Sequence, residues 1–89
     1  MKRLELRLFG DVQGVGFRSF AKRRADSFFL KGFVHNLPDG SIEIIAEGEE
    51  KNLQEFLNSI SKGPMFSEVN TIEIKWTQAE GKFLRFDVR

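Results

Sequence analysis

The sequence predicts an α+β sandwich, two helices packed on one face of a mainly antiparallel four- to five-stranded sheet. Three observations lead there. Apolar and polar residues alternate with period two in several separate segments, as in strands with one buried and one wet face. Two other segments carry apolar residues at helical spacing. Finally, the order of the segments is β-α-β-β-α-β with one further strand at the C-terminal end, and the one-sided alternation calls for both helices on the same face.

Leu4, Leu6 and Leu8 alternate with Arg3, Glu5 and Arg7 and form the first strand. Gly10-Asp11-Val12-Gln13-Gly14-Val15-Gly16-Phe17-Arg18 then runs as a glycine-punctuated loop into a helix, whose apolar face holds Phe17, Phe20, Ala21, Ala25 and Phe28. Arg24 falls on that apolar side, where a long side chain can bury its stem and keep its charge in water. Leu30 to Leu37 reads as a second strand, Pro38-Asp39-Gly40 as a turn, and Ile42, Ile44 and Ala46 as the inward residues of a third, with Glu43 and Glu47 outward. Leu53, Phe56, Leu57 and Ile60 mark the clearest helix, with glutamates before it and Lys62-Gly63-Pro64 behind. Ile72, Ile74 and Trp76, then Leu84, Phe86 and Val88, supply two final alternating strands. This is the pattern of a ferredoxin-like sandwich, read as a single domain over residues 1–89. In it the first and second strands run the same way, so the glycine loop and Asn36 emerge as neighbours at one end of the sheet.

At 89 residues the chain holds one core, burying roughly 60 to 65% of the surface its unfolded form exposes. Ten Phe against one Trp and no Tyr suggest a core filled with rings that need no hydrogen-bond partner. Fourteen basic and thirteen acidic side chains give a net charge of +1, so no bulk field draws in nucleic acid or membrane, and any anion site must be local. With no Cys there is neither disulfide nor thiolate chemistry, and one His leaves little imidazole chemistry. No long apolar stretch occurs. A cytoplasmic monomer without nucleic-acid or membrane partners is the expectation.

The glycine loop has the features of an anion site. A helix N-terminus offers unpaired N–H groups and partial positive charge. Gly14 and Gly16 allow successive N–H groups to converge, and Arg18 adds a planar fork matched to phosphate oxygens. Spacing alone does not separate this from an ordinary strand-to-helix turn bearing a surface Arg. Neither a Gly-Lys-Ser/Thr ending nor dinucleotide spacing is present, so the loop suits one phosphoryl group. Ser19 has no base beside it in sequence, and His35 points to the face opposite Asn36. The carboxylates are scattered, so neither metal nor other cofactor is expected. Such a site suits an acyl phosphate, whose carboxylate leaving group needs no general acid, with Asn36 holding the attacking water. Read on its own, Asn36 is equally a residue leading into the Pro38-Asp39-Gly40 turn.

Over essentially its whole length the chain resembles the acylphosphatases. The segment Gly10 to Arg18 is similar to the family's first signature, Gly-x-Val-Gln-Gly-Val-x-Phe/Tyr-Arg. Gly32-Phe33-Val34-His35-Asn36-Leu37-Pro38-Asp39-Gly40-Ser41-Ile42, followed by Gly48, is similar to the second. Lys62-Gly63-Pro64 and Phe86-Asp87-Val88-Arg89 also resemble the family at those places. The resemblance implies an acylphosphate phosphohydrolase in which Arg18 and Asn36 are catalytic. Arg18 would bind the substrate phosphate together with backbone N–H groups of Gln13, Gly14, Val15, Gly16 and Phe17, Asn36 would orient the water, and inorganic phosphate or sulfate would also bind.

His35 and Ile42 depart from the usual residues, and Phe29 stands where many members have a glycine closing the first helix. A left-handed Phe29 would cost about 1 to 2 kcal/mol, so a different helix end is expected. One rival is a module of a hydrogenase-maturation system handling carbamoyl phosphate. Two others are an RNA-binding sheet, suggested by Lys31-Gly32-Phe33 but broken by the next residues, and a catalytically silent interaction domain.

Overall fold

Alternation in the first strand has the consequence expected of it: Leu4, Leu6 and Leu8 are buried, while Arg3, Glu5 and Arg7 between them stay partly wet. The computed structural model describes residues 1–89. Its elements are β1 (Lys2–Asp11), α1 (Phe17–Ser27), β2 (Lys31–Asn36), β3 (Ile42–Gly48), α2 (Glu50–Lys62), β4 (Glu68–Gln78) and β5 (Phe86–Val88). The strands form one sheet in the order β4-β1-β3-β2-β5. Neighbours are antiparallel except β2 and β5, which are parallel, so the sheet is mixed. Both β1 and β2 run against β3 and therefore in the same direction, which brings their C-terminal ends to one edge.

The core lies between the helices and one sheet face. Leu4, Leu6, Leu8, Val34, Ile42 and Ile44 of the sheet meet Phe17, Ala21 and Ala25 of α1 and Leu53, Phe56 and Ile60 of α2. Burying each large apolar side chain stabilises the fold by about 1.5 to 3 kcal/mol before the entropy of ordering it is set against that. None of the helices is long and apolar enough to cross a membrane.

Four sequence expectations need correction. Phe29 does adopt a left-handed backbone, with φ 59°. The Leu30 N–H reaches the Ala25 carbonyl at 2.9 Å and the Phe29 N–H reaches the Asp26 carbonyl at 3.1 Å, the two bonds of a Schellman cap. Burial of Leu30 just beyond the cap holds this geometry, and Phe29 itself points to solvent, 84% exposed. Phe29→Gly should therefore stabilise the protein by about 0.5 to 1 kcal/mol, the relieved strain less the extra freedom glycine gains when unfolded; thermal or urea unfolding reads the change.

Glu47 is buried and not outward, because the connection after β4 folds over it. Its carboxylate accepts the N–H groups of Glu80 and Gly81 at 2.8 and 3.1 Å and lies 3.5 Å from the Arg3 guanidinium. Leu84 lies outside β5 and is exposed, since the last strand is only three residues long. Arg24 is exposed, its guanidinium carbon 5.4 Å from the centre of the Phe20 ring, so it covers an aromatic face more than it snorkels from the core.

Candidate active site

β1 ends at Asp11, and the chain must turn sharply to enter α1. Val12 anchors the turn in the core. Gly14 and Gly16 then take φ of 76° and 79°, and a Cβ at either would meet nothing within 4 Å. The demand for glycine here is conformational and not steric. Gly16 caps α1 without a side-chain bond, and the first backbone bond of the helix runs from the Phe20 N–H to the Gly16 carbonyl at 3.1 Å. No backbone N–H from Gln13 through Ser19 is spent on a protein acceptor. The loop thus presents a concave run of free donors at a helix N-terminus, where the local field favours an anion.

On the facing side, β2 delivers Asn36. The hairpin after it is tightly held: the Leu37 N–H donates to the Ser41 carbonyl at 2.9 Å and the Gly40 N–H to the Leu37 carbonyl at 3.1 Å. Asp39 accepts from the Ser41 hydroxyl and N–H and pairs with Arg7 at 2.8 Å. The Ser41 hydroxyl bond above all, then the Ser41 N–H and Arg7, hold the Asp39 carboxyl below the usual carboxylate range. Gln13 ties the two sides together, its Nε2 donating at 2.9 Å to the carbonyls of both Leu37 and Ser41. The loop and the Asn36 hairpin are therefore one unit.

A cleft of about 110 Å³ opens between them, lined by Val12, Gly14, Gly16, Phe17, Arg18, Ser19 and Asn36. That is well below the roughly 300 to 1,000 Å³ of pockets that enclose drug-sized ligands, and suits a single phosphoryl group. Larger grooves lie elsewhere, one of about 360 Å³ between α2 and β4, but they lack the glycine turn and its free amides. Arg18 is exposed at the mouth of the cleft. Its Nη1 donates to the Arg89 carbonyl at 3.0 Å, which steadies the guanidinium while leaving its other donors free. Arg89 is in turn placed by its N–H bond to the Val34 carbonyl at 2.9 Å and by its guanidinium, 4.1 Å from the centre of the Phe33 ring.

The most telling atom is Asn36 Oδ1, which is buried and has no hydrogen-bond partner in the protein. Leaving such an acceptor unpaired costs about 1 to 3 kcal/mol, and groups of this kind concentrate where chemistry needs them.

The structure brings Gly14, Gly16, Phe17, Arg18 and Asn36 to one cleft. The side chains of Gln13 and Val15 stay out of it: Gln13 is the strut just described, and Val15 packs on the core. Ser19 does line the cleft, yet no base accompanies it there. His35 stands apart, its Nε2 2.7 Å from Glu43 Oε1 and its ring edge-on to Phe33. Nowhere do three or more His, Asp or Glu side chains gather as a metal would require. The strut role of Gln13 and the Arg89 carbonyl behind Arg18 escaped the sequence reading, although an amide side chain within a glycine-rich turn is a usable signal for the first.

Known proteins are similar to this chain over most or all of its length. A family model described as Acylphosphatase matches residues 4–88. A protein named acylphosphatase from Thermotoga maritima is 48% identical over 81 residues, covering 91% of this chain and 90% of that protein. The acylphosphatase of Thermus thermophilus is 41% identical over 81 residues, with 91% and 92% covered. The crystal structure of acylphosphatase from Bacillus subtilis superposes with a TM-score of 0.97 at 38% identity, covering 100% of this chain and 99% of that one. HypF from T. kodakarensis aligns with a TM-score of 0.87 and 33% identity, but this chain spans only 12% of its length.

Proposed function

The chain belongs to the acylphosphatase family and is an acylphosphatase, and from that premise we propose that the glycine loop and Arg18 bind the phosphate of an acyl phosphate while Asn36 orients the attacking water. The observation that carries the proposal is that Asn36, whose buried Oδ1 has no partner in the protein, lines the same cleft as the free amides of the loop.

In this reading the N–H groups from Gln13 to Phe17 and the Arg18 guanidinium surround the phosphate oxygens and stabilise the charge that shifts onto them during transfer. Water is held by the side-chain amide of Asn36, which directs an oxygen lone pair at phosphorus. The new P–O bond forms as the bond to the acyl oxygen breaks, and the electron pair leaves with the carboxylate. The proton from water passes to a phosphate oxygen, so the products are carboxylate and inorganic phosphate. No acid is needed, since the leaving group is stable as an anion. Positioning is the main contribution of the protein.

One chain supplies every group in this scheme, so residues 1–89 act as one catalytic unit. Hydrolysis of benzoyl and acetyl phosphate, with little or no turnover of a phosphomonoester, tests the assignment. Inorganic phosphate or sulfate should inhibit competitively and stabilise the fold, by about 2.7 kcal/mol at one hundred times its dissociation constant. Because no carboxylate lines the cleft, activity should also survive EDTA. Noncompetitive phosphate inhibition, or activity lost to EDTA and restored by a metal, would count against this site.

A further inference from the structure

Phe66, like Phe29, has a left-handed backbone, with φ 73°, but it closes no helix. It is the third residue of a turn from Pro64 to Ser67, held by the Ser67 N–H and hydroxyl, which donate to the Pro64 carbonyl at 3.1 and 2.6 Å. A positive φ at that place in a turn normally calls for Gly or Asn, so an aromatic residue there is strained. No burial offsets the strain: Phe66 is 84% exposed and its neighbour Met65 78%. Backbone strain of this kind clusters at ligand sites.

The turn joins α2 to β4, and both of its ends place it beside the catalytic cleft. β4 starts at Glu68, which stands opposite Asp11, the last residue of β1 before the glycine loop. On the α2 side, a Cβ added at Gly63 would lie 3.1 Å from Cε2 of Phe17, a residue that lines the cleft.

Two constraints send the acyl group of the substrate towards this turn. The cleft of about 110 Å³ suits the phosphoryl group alone, so the acyl group must lie outside it. In-line attack also fixes a direction, because the leaving oxygen departs from the face of phosphorus opposite the water. Asn36 stands at the end of β2, and in the order β4-β1-β3-β2-β5 the strand β4 lies on the flank of β1 away from β2. The acyl group of a substrate attacked from the Asn36 side therefore leaves towards the flank on which Met65 and Phe66 stand exposed.

We propose that Met65 and Phe66 form the acyl-binding surface of this enzyme, so that it selects apolar acyl phosphates, aromatic ones above all, over acetyl phosphate; the proposal rests on Asn36 holding the attacking water. The ring of Phe66 offers an aromatic acyl group an edge or stacking contact, and the unbranched thioether of Met65 adapts to chains of different shape. The strained turn keeps both side chains out of the core and available to substrate.

Steady-state hydrolysis of acetyl, butyryl, hexanoyl and benzoyl phosphate by the parent, Met65→Ser, Phe66→Gly and the double variant tests this. Phe66→Gly relieves the left-handed strain and so should fold, which circular dichroism and thermal melts check. In the parent, kcat/KM should rise from acetyl to hexanoyl phosphate and be high for benzoyl phosphate. In the double variant the ratio of kcat/KM for benzoyl to acetyl phosphate should fall by roughly fivefold to twentyfold, the scale of losing a partly buried apolar contact, and the fall should lie mainly in KM. The inhibition constant for inorganic phosphate, which has no acyl group, should stay within about twofold, since uniform loss of the cradle would move it. The proposal is overturned if the parent shows no gain with acyl size, or if folded variants with normal phosphate inhibition keep the parent's benzoyl-to-acetyl ratio. Failure of the underlying mechanism would show elsewhere, as parent-like turnover in Asn36→Ala.

Discussion

Arg18→Gln should lower kcat/KM for benzoyl phosphate by roughly a hundredfold to a thousandfold, with both kcat and KM affected, on the scale of deleting one key electrostatic donor. The substitution removes the charge and the fork together, so the ground-state phosphate and the transition state each lose contacts. The inhibition constant for inorganic phosphate should rise in parallel. Stability should change by no more than about 0.5 kcal/mol, since Arg18 is an exposed residue whose one protein bond, to the Arg89 carbonyl, lies at the surface. Arg18→Lys keeps the charge without the planar fork and should recover phosphate affinity better than turnover. Steady-state kinetics with phosphate as inhibitor measure all of these. An Arg18→Gln enzyme that still binds phosphate normally would remove Arg18 from the cradle.

Asn36→Ala should show the opposite division. The loop amides and Arg18 are untouched, so the inhibition constant for phosphate should stay within a few-fold, while kcat falls roughly a hundredfold to a thousandfold because the water is no longer held. The same change should leave stability unaltered or raise it by about 1 kcal/mol, since it deletes a buried acceptor that has no protein partner. Loss of turnover together with a stability gain is a signature that a merely structural asparagine would not give. Ser19→Ala serves as the control: Ser19 lines the cleft but has no base to activate it, and the variant should remain active.

The parts of this molecule that obey local rules were legible in its sequence. Period-two leucines set β1, helical spacing set α2, and the order of segments set a topology in which the glycine loop and Asn36 share an end of the sheet. Gly14 and Gly16 were readable because their positive φ angles are a local demand. What escaped depends on distant partners. The strut from Gln13 reaches carbonyls 24 and 28 residues away. Burial of Glu47 needs the backbone of Glu80 and Gly81, which the chain supplies 33 and 34 residues later. Phe29 shows a local rule overridden, since the anchoring of Leu30 in the core outweighs the cost of a left-handed aromatic residue. Asn36 is the middle case: in the sequence it reads equally as a residue leading into a turn, and only its buried, unpaired Oδ1 distinguishes it.

The central claim is a single in-line attack by a held water on phosphorus, with no phosphorylated enzyme between substrate and product. The stereochemical course at phosphorus tests it most directly, using an acyl phosphate made chiral with oxygen isotopes and sulfur and hydrolysed in isotopically labelled water. One displacement predicts inversion of configuration, with the solvent oxygen in the phosphate product and none in the carboxylate. Retention of configuration, or solvent oxygen in the carboxylate, would contradict the account.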